Sequence, residues 1–234
     1  MIPRKKLDIG WTDLAFGLLA CLTRRDCAAS AERLERLWSP DGRALACLSV
    51  RSGFDLVLQQ LALPRGSEVL VSAITIRDMV GILEHHGLVA VPVDLEPGTC
   101  AVRLEALERA VTPNTRAVLI AHLFGNRTAL DGVVEFAKRQ KLFLIEDCAQ
   151  AFAADGYRGH PNSDVVMFSF GTIKTATAGG GAVLGFKTAA LRDAVAARQN
   201  SYPRQSHGVF AQRLARMAAL RVLGGRLPYT LFVF

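Results

Sequence analysis

The stretch Leu142–Gly185, LFLIEDCAQAFAADGYRGHPNSDVVMFSFGTIKTATAGGGAVLG, decides the fold. It opens on an apolar run, Leu142–Ile145, that ends in two carboxylates, Glu146 and Asp147. A second run, Val165–Phe170, ends in Gly171-Thr172-Ile173-Lys174 and a glycine-rich turn. Short apolar runs bounded by polar residues read as strands buried on both faces, and the carboxyl ends of such strands are where open α/β sheets place their ligands. An acid and a lysine are therefore predicted at two strand ends.

Outward from this stretch the chain alternates. Ala44–Val50 reads as a strand, Arg51-Ser52-Gly53 as a turn and Phe54–Leu63 as a helix. Glu68–Ala73 is a strand, Ile76–His86 a helix and Val89–Asp94 a strand. Leu104–Val111 is helical, Ala117–Ala121 a strand and Leu130–Gln140 a helix. Repeated alternation of this kind predicts a parallel sheet covered on both faces. No linker or repeat interrupts it, so residues 44–186 read as one unit. An amino-terminal helical segment, 1–43, precedes it, and a helical connection, 187–234, follows. That connection holds Ala189–Asn200 and a basic helix, Val209–Leu223, with Arg213, Arg216 and Arg221. Packing on the domain or on a second subunit is the favoured reading of the basic helix over membrane contact. Leu231–Phe234 reads as a strand cut short.

The 234 residues are half apolar and 21% charged, an ordinary globular composition. The net charge of +7 favours anionic ligands, and without a recognisable motif it does not point to nucleic acid. Five scattered cysteines, Cys21, Cys27, Cys47, Cys100 and Cys148, form no CxxC pair, which argues for reduced thiols in a cytoplasmic protein and against a metal site. Arg4, Lys5 and Lys6 ahead of Leu14–Leu22 give the amino terminus a leader-like look, but Asp8, Asp13 and the Arg24-Arg25-Asp26 cluster interrupt it. A helix starting near Thr12 or Asp13 is the expectation. No apolar run reaches the length of a membrane-spanning helix.

A lysine and a carboxylate at two strand ends suit a pyridine cofactor used as an electron sink. It needs an amine for its aldehyde, a carboxylate for its ring nitrogen and a cradle for its phosphate. Lys174 can supply a Schiff base and Asp147 can keep the ring nitrogen protonated. Ser169 and the Ser52-Gly53 turn can hold the phosphate through hydroxyl and backbone donors. These requirements describe pyridoxal 5'-phosphate.

The residues also carry a resemblance. EDCAQ at Glu146–Gln150, SFGTIK at Ser169–Lys174 and GGGAVL at Gly179–Leu184 resemble the DegT/DnrJ/EryC1/StrS family of pyridoxal-phosphate-dependent aminotransferases. PRGSEVLVSAIT from Pro64, PVDLEPGT from Pro92 and TPNTRAVLIAHLFG from Thr112 extend it over about Leu45–Phe186. The resemblance implies a type I aminotransferase large domain, a mostly parallel seven-stranded sheet with one antiparallel strand, working as a homodimer. It implies Lys174 as the cofactor lysine, Asp147 as the ring-nitrogen partner, Gln150 beside the ring hydroxyl and Ser169 on the phosphate. It also implies amino transfer, with glutamate as donor and a keto group, of a nucleotide-linked sugar by analogy, as acceptor. Relatives with histidine in place of this lysine catalyse dehydration, so the lysine favours transamination.

Departures from the family pattern give a second reading. Phe54 stands where relatives carry a threonine in the phosphate turn, leaving only backbone amides there. Ile76 stands where an aromatic residue covers the cofactor ring, forgoing about 0.5–1.5 kcal/mol of stacking. The carboxy-terminal small domain of the family is not represented. The alternative is thus a truncated or divergent relative that binds cofactor or a partner chain without turnover. His122 reads as a packing residue or a site neighbour, Glu146 as structural, and Cys148 as a small core residue. His85 and His86 sit at a helix end, where the dipole favours them.

Overall fold

A computed structural model describes residues 7–23, 26–225 and 230. Arg4, Lys5, Lys6, Arg24, Arg25 and the strand expected at Leu231–Phe234 lie outside the described residues. In chain order the elements are α1 (Trp11–Leu22), α2 (Cys27–Trp38), β1 (Ala44–Cys47), α3 (Val50–Leu61), β2 (Glu68–Ser72), α4 (Arg77–His85), β3 (Val89–Val93), α5 (Leu104–Ala110), β4 (Thr115–Ala121), α6 (Asp131–Gln140), β5 (Phe143–Asp147), β6 (Val165–Ser169), β7 (Ala182–Phe186), α7 (Ala189–Asn200) and α8 (His207–Leu223).

The seven strands form one sheet in the order β1-β7-β6-β5-β4-β2-β3. Strands β2 to β6 pair in parallel, and β7 runs antiparallel to both β6 and β1. Since β1 and β6 each oppose β7, they run the same way, and the carboxyl ends of β1 to β6 meet at one edge. Alternate strand residues feed two cores. Val69, Val71, Leu119 and Ile145 pack against Phe54, Leu58, Met79, Leu83 and Val195 of α3, α4 and α7. Leu70, Val118, Ile120 and Leu144 pack against Leu107, Val134 and Phe136 of α5 and α6. Burial on both faces is why the strands are nearly continuous apolar runs.

Under β6 the second face is covered differently. Trp38 from the end of α2 stacks at 5.9 Å on Phe152 and meets Phe168 edge-on at 5.1 Å, with Phe170 and Tyr157 completing the cluster. The edge strand β1 is likewise closed by side chains from outside the sheet. Glu35 accepts from Ala46 N–H (2.8 Å), Arg192 donates to Ala44 O (3.0 Å) and Gln199 donates to Ala46 O (2.9 Å). An unpaired edge is thereby satisfied without a further strand.

The first expectation to be corrected is the start of α3. The helix begins at Val50, not Phe54, because Ser49 caps it: Ser49 Oγ accepts from Ser52 N–H (3.1 Å), while Ser52 Oγ accepts from Ser49 N–H (3.0 Å). Residues 51–53 are therefore its first turn and not a loop. The helix at Cys27–Trp38, α2, was not anticipated as a separate element; Asp26 caps it by accepting from Ala28 and Ala29 N–H. His85 and His86 stand at the end of α4 as expected, and His86 Nε2 also meets Asp55 Oδ1 at 2.8 Å, which ties α4 to α3.

Candidate active site

The carboxyl edge of the sheet gathers the predicted residues by topology. Asp147 closes β5, Ser169 closes β6, Lys174 follows five residues on, and the amino terminus of α3 follows β1 on the same edge. Asp147 is 9% exposed, and its Oδ1 accepts from Ala149 N–H at 2.9 Å. Burial raises its pKa, while the Ala149 amide and the nearby Lys174 ammonium pull partly the other way.

Lys174 and Ser169 converge on Gly171. A Cβ added to Gly171 would lie 3.5 Å from Ser169 Oγ and 3.9 Å from Lys174 Cγ, and Gly171 N–H approaches Ser169 Oγ at 3.4 Å. Ser52, Gly53 and Phe54 are placed otherwise than expected. Gly53 N–H donates to Ser49 O (3.0 Å), Ser52 Oγ is engaged by Ser49, and Phe54 has no exposed surface, its ring lying in the core. The first-turn amides that a helix leaves open are those of Val50 and Arg51, one turn earlier than the sequence suggested. Gly53 has a packing reason instead, because a Cβ there would meet Leu184 Cδ1 at 2.7 Å. Ser52 also lines a cleft of about 680 Å³ with Leu48, Asp55, Tyr202 and His207.

Ile76 is the N-cap of α4 and is 54% exposed at the carboxyl end of β2. Gln150 is exposed in the turn after β5, and its Oε1 accepts from Phe124 N–H (3.1 Å), which leaves its NH₂ as the group to offer a ligand. Phe124 is itself exposed with a φ of 58°.

Behind Asp147 lies a network that sequence reasoning did not find. Glu146, with no exposed surface, accepts from His122 Nε2 (2.9 Å), Tyr157 Oη (2.6 Å), Cys148 Sγ (3.2 Å), His160 N–H (2.7 Å) and Ser163 Oγ (2.8 Å). Burial alone would raise its pKa, but the bonds from His122 and Tyr157 outweigh it and hold Glu146 at about 2. Thr128 N–H donates to His122 Nδ1 (3.2 Å), so the neutral ring carries its proton on Nε2. His122 N–H in turn donates to Asp147 O (3.0 Å), fixing the backbone of the acid. The ligating atoms of His122, Glu146 and Cys148 lie within 4.8 Å of one another. The acceptor atoms of His122 and Glu146 are already engaged, and burial first, then the Glu146 charge, drives the Cys148 thiol far from ionisation. The donors to Glu146 from residues 157–163 lie in a loop, where no periodicity marks them.

This sheet, with its acid and lysine on one edge, is the large-domain fold of type I pyridoxal-phosphate-dependent aminotransferases. The profile of the DegT/DnrJ/EryC1/StrS aminotransferase family matches residues 32–216, and the chain belongs to that family. It is similar to GDP-perosamine synthase of Escherichia coli O157:H7, 33% identical over 132 residues, 55% of this chain and 36% of that protein. It is also similar to dTDP-4-dehydro-2,6-dideoxy-D-glucose 3-dehydratase of Saccharopolyspora spinosa, 37% identical over 131 residues, 54% of this chain and 28% of that protein. The solved sugar aminotransferase CalS13 of Micromonospora echinospora superposes with a TM-score of 0.73 at 27% identity, covering 85% of this chain and 57% of that one. The chain thus spans well under half the length of these curated relatives. Among the described residues no helix is long and apolar enough to cross a membrane.

Proposed function

We propose that the chain is the cofactor-binding part of a pyridoxal-phosphate-dependent aminotransferase that delivers an amino group to a keto sugar. The observation that carries this is the meeting, at one sheet edge, of the buried Asp147 that closes β5 with Ser169 at the end of β6 and the loop that carries Lys174 directly after it. The residues fit the group. Asp147 can hold a proton on a ring nitrogen, because a cation beside it relieves the cost of its buried charge. Ser169 and the open amides of Val50 and Arg51 suit a phosphate at a helix amino terminus. The Gln150 NH₂ is the donor available for a ring oxygen. Bound there, the cofactor supplies an aldehyde carbon and an electron-withdrawing ring.

Lys174 has two tasks in this reading. Its amine holds the cofactor aldehyde and, once displaced by an amino donor, moves the proton at the substrate carbon. Proton transfer by a positioned side chain contributes typically about 10²–10⁴-fold. A lysine at this position favours amino transfer over dehydration, although a dehydratase is among the relatives. Glutamate is the proposed donor. The relatives' printed names, GDP-perosamine synthase among them, support a keto sugar, nucleotide-linked, as acceptor. The protein is proposed to work as a cytoplasmic homodimer; the exposed Trp11, Phe16 and Leu19 of α1 support association with a second copy.

The half-reaction with glutamate tests the proposal without an acceptor. The chain mixed with pyridoxal phosphate should acquire a visible absorbance that glutamate converts to the amine form. Lys174→Ala should lack that absorbance. If the variant absorbs like the parent, the lysine assignment falls. If glutamate leaves the parent's spectrum unchanged, the chain is a cofactor binder without turnover.

A further inference from the structure

The loop that carries Lys174 is pinched at its base, where Phe170 N–H donates to Gly181 O (3.0 Å) and Ala178 N–H donates to Phe170 O (3.1 Å). Within it, Lys174 N–H donates to Gly171 O (3.0 Å), Thr177 Oγ donates to Phe170 O (3.2 Å), and Gly179 N–H donates to Thr177 Oγ (3.0 Å). Ala176 is held from elsewhere. Its φ is 53°, a left-handed backbone that strains a residue with a Cβ, and its N–H donates at 2.6 Å to Oδ2 of Asp8, 168 residues earlier.

Asp8 stands on a fixed base. The next residue, Ile9, is buried with Leu14, Leu214 and Met217 in the core that joins α1 to α8, and the Arg221 guanidinium donates to its carbonyl. From the other side of the loop Arg213 of α8 donates to Gly179 O (3.4 Å). The segment just before α1, through Asp8, and α8, through Arg213, therefore both hold the stretch after the lysine.

We infer that Asp8 is a positioning residue for Lys174: its carboxylate holds Ala176 in the left-handed conformation and so fixes the loop that presents the lysine amine. The inference rests on the reading of Lys174 as the cofactor lysine. Without the carboxylate, Ala176 relaxes towards the backbone regions an alanine prefers. The amine two residues back then spreads over several positions, and capture of an aldehyde needs it in one.

The test titrates pyridoxal phosphate into the parent chain, Asp8→Ala and Asp8→Asn, reading visible absorbance, and follows hydrogen exchange of peptides covering 172–179 without cofactor. Asp8→Ala should weaken apparent cofactor affinity about three- to tenfold, the scale of one ordinary hydrogen bond's net worth. The same variant should exchange faster at 172–179 while β5 and β6 stay protected and the melting temperature holds. Asp8→Asn, whose amide oxygen still accepts, should recover most of both losses. Parental affinity in Asp8→Ala overturns the inference, whether or not exchange quickens. Should the parent itself show no lysine-dependent absorbance, the reading of Lys174 fails instead. Exchange then decides on Asp8: faster exchange upholds the grip on Ala176 and unchanged exchange overturns it.

Discussion

At the scale of single residues, two adjacent carboxylates behave in opposite ways. Asp147 is buried with one amide partner, and its raised pKa means that ionisation costs the folded chain energy. Its contribution to stability is fully present below the unfolded value and is lost as pH rises through the folded one. Asp147→Asn should therefore melt higher than the parent at pH 7 without cofactor, with the gap closing towards pH 4. The same variant should bind pyridoxal phosphate less well and slow the glutamate half-reaction, a trade of function against stability. A lower melting temperature for the variant at pH 7 would contradict the account. Glu146 has five donors and a pKa lowered from 4.5 to about 2, so its stabilisation is present above 4.5 and lost as pH falls through 2. That shift corresponds to about 3 kcal/mol. Glu146→Gln should unfold at lower urea at pH 7 and lose less than the parent between pH 4.5 and 2; urea midpoints at both ends measure it. The acid and lysine were legible because polar groups closing buried apolar runs stand out. The saturation of Glu146 was not, since Tyr157, His160 and Ser163 come from a loop whose path leaves no pattern.

At the scale of elements, the sequence located the strands well because burial on both faces makes them apolar runs. Helix starts were harder. The box that begins α3 is Ser49-x-x-Ser52, which lacks the glutamate or glutamine that usually marks this motif. The missed start moved the open amides from Ser52-Gly53-Phe54 to Val50 and Arg51. Helix α2 escaped separate notice because its polar run, AERLER, has its purpose at the sheet edge rather than in a deep core. Glu35 of that helix joins Ala46 N–H to Arg192, with the Glu35–Arg192 pair at 2.6 Å and both side chains largely buried. Glu35→Ala should destabilise the chain by about 1–3 kcal/mol, since it strands a backbone donor and a buried cation together. It should also open β1 to intermolecular pairing, so light scattering on gentle heating should rise earlier than in the parent. A variant that melts and scatters like the parent would show that β1 needs no such cover.

At the scale of the molecule, alternation of strands and helices implied a covered parallel sheet, and the family motifs implied its seven strands with one reversed; the sheet has that form. The strand order β1-β7-β6-β5-β4-β2-β3 was not anticipated, because local propensity carries no information on which strands lie side by side. The reversed strand has a consequence in time as well as in space. Ala44 of β1 pairs with Gly185 of β7, about 140 residues later, and among the described residues β1 borders no other strand. During synthesis β1 must wait, without a strand partner, until β7 leaves the ribosome, whereas β2 to β6 can assemble among themselves and α3 can already pack on them. The start of α3, proposed above to seat a phosphate, follows β1 after two residues and is anchored to the sheet through β1 only then. A nascent chain cut off before residue 182 would hold Lys174 and Asp147 with β1 still unpaired, so on the proposed reading it should bind the cofactor less tightly than the 234-residue chain.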